Sequence, residues 1–206
     1  MRRIFVMLLS LVMLCSCSSG VKYEEEVVVR QLSATSDTAT ELCGMIQMLT
    51  VNSPLLPEFD NITKAMELCR DSVLYYMLTE NYGKYTGDIE KLDAAVEEYP
   101  RMQITNLIPA REFEETVYAS FGGTRKITNE NGRLFVYLDR VAAYTSVTML
   151  DTEPVDVTVA ELVETEHTYR MRITCSADDI TSPEYTVIFL KRDNGTVYFY
   201  SVTEKV

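Results

Sequence analysis

The chain of 206 residues contains no tryptophan and a single histidine, His167. Without a second histidine, neither the usual zinc-ligand sets nor the His-Glu-x-x-His motif of zinc proteases can form. The sequence also lacks a Gly-x-Ser-x-Gly turn, a glycine-rich phosphate loop and a dinucleotide fingerprint. Adjacent acids such as Glu97-Glu98 point apart on a helix, which disfavours the paired carboxylates of glycoside hydrolysis. We therefore predict no catalytic residue, no metal and no cofactor, and we expect that the protein is not an enzyme.

Basic residues are few, with 19 Lys and Arg against 31 Asp and Glu and a formal net charge of −12. Binding to nucleic acid needs clustered Lys and Arg for the phosphates, so we expect no nucleic-acid partner. Binding to an anionic membrane surface is disfavoured for the same reason. A basic protein stays open as a partner, because summed charge steers association, although solubility is the simpler reason for the acidity.

Long hydrophobic runs are absent too. The apolar run Ile4–Leu14 has eleven residues, whereas a transmembrane helix needs about 20. Its length suits the hydrophobic region of a secretory signal peptide, about 7–15 residues, and Arg2 and Arg3 supply the basic start. The sequence therefore predicts a secreted protein.

The run closes on Leu14-Cys15-Ser16-Cys17, which resembles the lipobox of bacterial lipoproteins, with Leu at −3 and Ser at −1 relative to Cys17. The resemblance implies that residues 1–16 are removed as a signal peptide and that Cys17 carries the lipid. Cys15 is a poorer acceptor, because bulky Leu14 would then stand where the peptidase needs a small residue. A plain secretory cut near Ser19-Gly20 is the alternative.

Acylation determines the expected location. One acyl chain gives marginal membrane binding, whereas two or more, such as palmitate, anchor a protein stably. The resemblance thus implies a membrane partner, reached through the N-terminal lipid, and a position on the extracytoplasmic side of the cell membrane. Whether the host has one membrane or two stays open.

Cleavage before Cys17 divides the chain into three parts. Residues 1–16 are the signal peptide, 17–35 a flexible tether, and 36–206 a single α+β domain with helices over about 36–122 and a sheet over about 124–204. Removing Arg2 and Arg3 from the 19 basic residues leaves 17 against 31 acidic ones, a formal charge of −14. Such acidity favours a solvated mature protein.

Three cysteines remain after the anchor: Cys43, Cys69 and Cys175. Their odd number excludes a fully paired framework. Cys43 and Cys69 could pair, but three small buried thiols fit the composition better. A Cys175–His167 dyad is disfavoured, because the strand pattern turns Cys175 towards the core, whereas reactive thiols need exposed, electropositive surroundings.

Four helices are predicted in the first part of the domain. Ser36 or Asp37, Asp60 or Asn61, and Asp88 are good N-caps, and Pro109 suits the first turn of the last helix. The first two helices should form an antiparallel pair. The residues expected to face inward are Leu42, Met45, Ile46 and Leu49; Ile62, Ala65, Met66, Cys69, Val73, Tyr76 and Met77; Ile89, Leu92 and Val96; Phe113, Val117 and Phe121.

After Gly122-Gly123 the apolar period changes from 3.6 to 2, which predicts strands. We expect one hairpin from 125 to 138 around Asn129–Gly132, long strands Val155–Glu164 and Thr168–Cys175, and a last hairpin across Arg192–Gly195. The fold class is therefore α+β, with N-terminal helices packed on a twisted antiparallel sheet of about five or six strands. The other face of the sheet should be partly open or shallowly concave.

The order of elements in the second half carries a resemblance. Helix Pro109–Phe121, hairpin Lys126–Leu138, strands Val155–Cys175 and the closing pair Tyr185–Val202 resemble cystatin-like or nuclear-transport-factor-like α+β domains. They are also similar to IseA-type inhibitors of cell-wall DL-endopeptidases. The resemblance implies a noncatalytic envelope module that binds a protein or a cell-wall fragment, and it transfers no site residue.

Thirteen tyrosines supply most of the aromatic residues. Tyr75, Tyr82 and Tyr85 form the candidate recognition surface, because tyrosine offers a large amphipathic contact with little rotamer freedom to lose. Core packing is an equal alternative for this segment.

We therefore expect a lipid-anchored, extracytoplasmic, noncatalytic binding protein of the cell envelope that modulates a cell-wall hydrolase, with a basic envelope protein or cell-wall fragment as partner. One alternative is a small-ligand pocket or degenerate enzyme in the concavity of the sheet. Another is a structural subunit of an envelope complex, which an exposed sheet edge or large apolar patch would favour.

Overall fold

A computed structural model of the chain describes residues 26–51, 53–123, 127–148 and 155–205. The predicted signal peptide, Cys17 and the first part of the predicted tether therefore lie outside the described residues. Within them, helices come first and antiparallel strands follow, which confirms the α+β class. None of the described helices has the length and apolarity required to cross a bilayer.

Four of the five described helices begin close to the predicted caps, and the short helix Tyr82–Thr86 was not predicted. Ser36, Asn61 and Asp88 each accept a hydrogen bond from the backbone N–H three residues on, which satisfies a donor that the helix leaves unpaired. Pro109 stands at the N-cap of the last helix rather than in its first turn. The helices are α1 Asp37–Gln47, α2 Ile62–Glu80, α3 Tyr82–Thr86, α4 Ile89–Glu98 and α5 Ala110–Phe121.

The strands form two separate antiparallel sheets rather than the single sheet that we predicted. The strands are β1 Arg30–Gln31, β2 Ile108–Pro109, β3 Phe135–Leu138, β4 Ala143–Ser146, β5 Asp156–Glu164, β6 Thr168–Ala177, β7 Ile180–Thr181, β8 Tyr185–Lys191 and β9 Val197–Glu204. In the six-stranded sheet the order is β1-β5-β6-β8-β9, with β7 beside β6, and the three-stranded sheet has the order β2-β4-β3.

The two predicted long strands pair with each other, and the last predicted hairpin is confirmed, in the six-stranded sheet. β5 pairs with β6 in a register that places Val157 opposite Cys175. β8 pairs with β9 across a turn in which Gly195 adopts φ of +82°, a conformation that favours glycine. β1 lies in the predicted tether, where Arg30 and Gln31 pair with the end of β5 and extend the sheet by one short edge strand.

The predicted hairpin around Asn129–Gly132 is wrong. Residues 127–134 lie outside strands, and β3 pairs with β4 instead. Asp71 on α2 explains the difference, because its Oδ2 accepts hydrogen bonds from the backbone N–H groups of Arg133 (2.6 Å) and Leu134 (3.1 Å). These donors are thus bound to a helix and not to a neighbouring strand.

The main core lies between the six-stranded sheet and the helices. α1 packs on β5 and α5 packs on β9, whereas α2 packs on α5. The predicted antiparallel pair of α1 and α2 is therefore wrong, because α1 packs on the sheet and α2 packs on α5 instead. Phe59, Phe121 and Phe199 meet at the centre, with ring centroids 5.5–6.2 Å apart.

A second, smaller core lies on the far side of the three-stranded sheet. Phe135 of β3 faces the main core, whereas Leu138 faces Ala95 of α4. The inward face of α4 is consequently formed by Leu92 and Ala95. Ile89 and Val96, predicted to point inward, are 62% and 41% exposed.

Candidate functional site

A cleft of about 530 Å³ opens between α3, α4, the first turn of α5 and the turn that joins β3 to β4. Two backbone hydrogen bonds hold its walls together. The N–H of Leu107 donates to the carbonyl of Tyr85 (2.9 Å), and the N–H of Ala110 donates to the carbonyl of Ala142 (2.9 Å). The cleft therefore lies where the two cores of the molecule meet.

Aliphatic side chains form most of the wall of the cleft. Leu92 projects from α4, Leu107 and Pro109 from the strand region before α5, and Val141 and Ala143 from the turn after β3. Leu92, Leu107 and Val141 also pack on the smaller core. Packing on the smaller core thus holds these side chains in place, and they present an apolar surface to the cleft without rearrangement.

Glu112 places a carboxylate on the wall of this cleft. It lies in the first turn of α5, and its Oε2 accepts hydrogen bonds from Lys84 Nζ (2.6 Å) and from the hydroxyl of Tyr85 (2.9 Å). Partial burial by itself would raise the pKa of the Glu112 carboxyl, but these two hydrogen bonds outweigh it and hold that pKa below its usual value. Burial, reinforced by the bond to Glu112, raises the pKa of Tyr85. Glu112 is therefore ionised and Tyr85 is neutral at physiological pH.

A second ion pair stands at the rim of the cleft. Asp88, the N-cap of α4, lies 2.6 Å from Lys91 Nζ. The positive charge of Lys91 also acts on the Glu112 carboxylate. The polar part of the site thus contains two anions and two cations above an aliphatic wall.

The three tyrosines of the predicted recognition surface lie in different environments. Tyr85 is buried, and of the three it is the one that lines the cleft, through its hydroxyl. Tyr82 is 55% exposed, and Tyr75 is half-buried against the main core. One of the three predicted tyrosines therefore lines the cleft, and the sequence did not point to Lys84 or Glu112. No sequence signal joins residues 28 positions apart.

The thiols lie in environments that disfavour reactivity. Burial raises the pKa of Cys69 to about 12 and, as the larger of two causes, that of Cys175 to about 11. The described cysteines Cys43, Cys69 and Cys175 are free, so the pairing of Cys43 with Cys69 that we left open is not present.

His167 lies at the turn between β5 and β6, where the sequence predicted it. Its Nδ1 is 2.8 Å from Glu26 Oε1, and Glu26 also accepts a hydrogen bond from Thr165. Cys175 lies eight residues after His167 along β6, about 26 Å at the usual rise, and its side chain faces the core. His167 thus fastens the start of the domain to the sheet and does not meet the thiol.

A second cleft, of about 910 Å³, separates α2 from residues 127–133. Its wall includes Arg70, which donates to the carbonyl of Thr128 (3.1 Å), and Asp71. These side chains hold residues 128–134 against α2, which is a structural role.

Neither the grouping of metal-ligating side chains nor the comparison with known proteins assigns a function to the chain. Among the described residues, no three His, Cys, Asp or Glu side chains are grouped so that they could hold a metal ion. Compared with protein families, with curated proteins and with solved structures, the chain matches none.

Proposed function

We propose that this protein is a lipid-anchored, extracytoplasmic binding protein of the cell envelope that takes a small ligand in the cleft beside Glu112 and performs no catalysis. The cleft carries the proposal. It combines an aliphatic wall with a few convergent polar groups, within the range of about 300–1,000 Å³ typical of ligand sites.

The location rests on the N-terminal sequence. A diacylated Cys17 would hold the domain on the membrane, and Glu26, where the chain is bonded to the sheet, lies nine positions after it. Nine extended residues reach about 30 Å. The binding domain would therefore work close to the membrane surface.

We propose that the protein performs no catalysis because of the protonation states of its buried thiols and of the Glu112 carboxylate. Burial raises the pKa of Cys69 and Cys175, which keeps them as thiols. Lys84 and Tyr85 hold the Glu112 carboxylate in its ionised form, which makes it a poor proton donor. Both conditions suit binding better than covalent or acid–base chemistry.

The cleft is tested by blocking it. Ala94 lies on α4, is exposed and lines the cleft, whereas Glu97 is exposed on the same helix away from it. We expect the low-molecular-weight fraction of an envelope extract to shift NMR signals of cleft residues in the native chain and in Glu97→Trp, but not in Ala94→Trp. The same shifts in Ala94→Trp, or no shifts in any of the three proteins, would overturn the proposed site.

The anchor is tested separately. We expect Cys17→Ser to move the protein from the membrane fraction to the medium or the periplasm, and Cys15→Ser to leave it on the membrane. Mass spectrometry of the native N-terminus should find acyl groups on Cys17. A native chain that begins beyond residue 17 and carries no acyl group would contradict the anchor and leave the cleft untouched.

A docking role towards an envelope protein is the second candidate, and the edge of the sheet favours it. Val27 and Val29 are 84% and 70% exposed beside β1, an edge strand of only two residues. Exposed apolar edges invite pairing with another chain. If Val27→Asp with Val29→Asp leaves the cross-linking of envelope proteins to the anchored chain unchanged, this candidate fails.

The finer fold assignment also remains a proposal. A cystatin-like architecture, and with it modulation of a cell-wall hydrolase as in IseA-type inhibitors, is supported by the order of α5 followed by antiparallel strands. The separate three-stranded sheet is a departure from the single sheet that we expected.

A further inference from the structure

We propose that the cleft beside Glu112 binds a zwitterionic aliphatic amino acid or dipeptide, with the ammonium and carboxylate groups at the rim and the aliphatic side chain against Leu92 and Leu107. This inference rests on the proposed function and names the class of ligand for the same site.

The wall of the cleft selects the body of the ligand. Aromatic rings bind by stacking on an aromatic face, in offset or edge-to-face geometry. Among the described residues that line the cleft, Tyr85 is the aromatic one, and it is only 5% exposed with its hydroxyl bonded to Glu112, so it leaves little ring face for stacking. Leu92, Leu107 and Val141 instead offer a surface for a branched aliphatic side chain, since removing apolar surface from water favours binding.

The charged side chains at the rim of the cleft determine which charged groups the ligand carries. Lys84 and Lys91 are 57% and 75% exposed, and each uses one partner within the cleft although an ammonium has three donors. Glu112 Oε2 accepts two hydrogen bonds, while among the described residues no donor is bonded to Oε1. The lysines can therefore donate to a ligand carboxylate while Glu112 Oε1 accepts from a ligand ammonium.

Charge balance favours a zwitterion over an ion of one sign. A monocation would meet Lys84 and Lys91, and a monoanion would meet Asp88 and Glu112, so each would face two like charges. The net charge of −12 also disfavours the approach of anions. A neutral molecule with separated charges meets an opposite charge at both ends.

Isothermal titration calorimetry on the purified chain tests the class with matched ligands. L-leucine and L-alanyl-L-leucine carry both charges, 4-methylpentanoate lacks the ammonium of leucine, and isopentylamine lacks its carboxylate. We expect the two zwitterions to bind and each truncated analogue to bind at least about tenfold more weakly, because each loses charge-assisted hydrogen bonds.

Variants assign the two ends of the ligand. Glu112→Gln should weaken the binding of leucine by about tenfold but should not weaken that of 4-methylpentanoate, because the anionic analogue loses a like charge. Lys84→Met should likewise weaken leucine by about tenfold and should not weaken isopentylamine. Glu115 is exposed on the same helix and is bonded to Arg111 rather than to the cleft, so Glu115→Gln should change nothing.

The outcomes separate this inference from the function on which it rests. Equal affinity for leucine and its truncated analogues would overturn the zwitterion. So would an envelope extract that shifts the cleft signals while leucine and the dipeptide do not bind. In that second case the binding function would stand with another class of ligand. If the extract shifts no cleft signals and neither zwitterion binds, both the proposed binding function and the zwitterion proposal are overturned.

Discussion

Among single residues, Glu164 binds the first described strand, β1, to the rest of the sheet. It is 17% exposed, and its two oxygens accept from Lys191 Nζ (2.9 Å) and Arg30 Nη2 (2.6 Å). The hydrogen bond from Lys191 and then that from Arg30 hold the pKa of the Glu164 carboxyl below its ordinary value. One carboxylate thus ties β1 to β5 and the end of β8.

The depressed pKa gives this group a definite pH dependence. A carboxyl whose pKa is lower in the folded state stabilises the fold above its unfolded pKa of about 4.3, and the contribution disappears as the pH falls through the folded pKa. We expect Glu164→Gln to lower the free energy of unfolding by about 1 kcal/mol at neutral pH, with the difference from the native chain vanishing in acid. Urea denaturation from pH 7 down to about 2 measures this.

Glu115→Gln is the matched control for Glu164. Its carboxylate is 62% exposed and pairs only with Arg111 on the same helix, so the change should stay within about 0.5 kcal/mol at every pH. A Glu164→Gln effect that is the same at neutral and acid pH would show that the loss comes from packing and not from the charge.

At the scale of elements, the contact between α2 and residues 128–134 replaced the hairpin that the sequence predicted. The Asn131-Gly132 pair is a strong hairpin signal because type I′ turns need positive φ. Gly132 does not adopt positive φ, and a Cβ there would overlap the Asp71 carboxylate. This glycine is therefore required for close approach to a helix and not for a tight turn.

Removing the acceptor tests this explanation. Asp71→Ala should lower the free energy of unfolding by about 1–3 kcal/mol, because the N–H groups of Arg133 and Leu134 lose their partner. Hydrogen exchange should show faster exchange at these two amides. Asp93 is exposed on α4, and Asp93→Ala should stay within about 0.5 kcal/mol. Unchanged exchange at Arg133 and Leu134 in Asp71→Ala would contradict the role given to Asp71.

At the scale of the whole molecule, the main core contributes more to the free energy of unfolding than the smaller core does. α5 buries Phe113 and Val117 completely in the main core, whereas α4 buries only Ala95 in the smaller one. Segments with few buried apolar contacts open with less free energy than the whole domain. The cleft lies between these two helices, so its α4 wall belongs to the less stable part.

Native-state hydrogen exchange measures this division. We expect amides of α4 to exchange through a local opening that costs less free energy than the global unfolding seen by α5. A ligand held in the cleft should slow the exchange of α4 and leave α5 unchanged. Exchange of α4 at the same rate as α5, by global unfolding alone, would contradict two unequal units.

Local signals explain how much of this fold could be predicted. The cap Asp88 and the turn that contains Gly195 depend on neighbours within a few residues and were predicted, and Ser36 and Asn61 were each one of two predicted alternatives. The candidate site is different. Glu112 meets Lys84 across 28 positions, and periodicity along either helix contains no information about that distance.

The amino-acid sequence by itself determined the α+β class, the helix starts and the alternation of β6, because capping and apolar period are properties of short segments. It also supplies the lipobox on which the location is proposed. Only the tertiary structure decided that β3 joins a separate sheet, that α4 turns Ala95 inward and leaves Ile89 and Val96 exposed, and that Glu112 faces Lys84. Each of these depends on which long-range surface buries the most apolar area and satisfies the most donors, and that competition is settled only when the whole chain is packed.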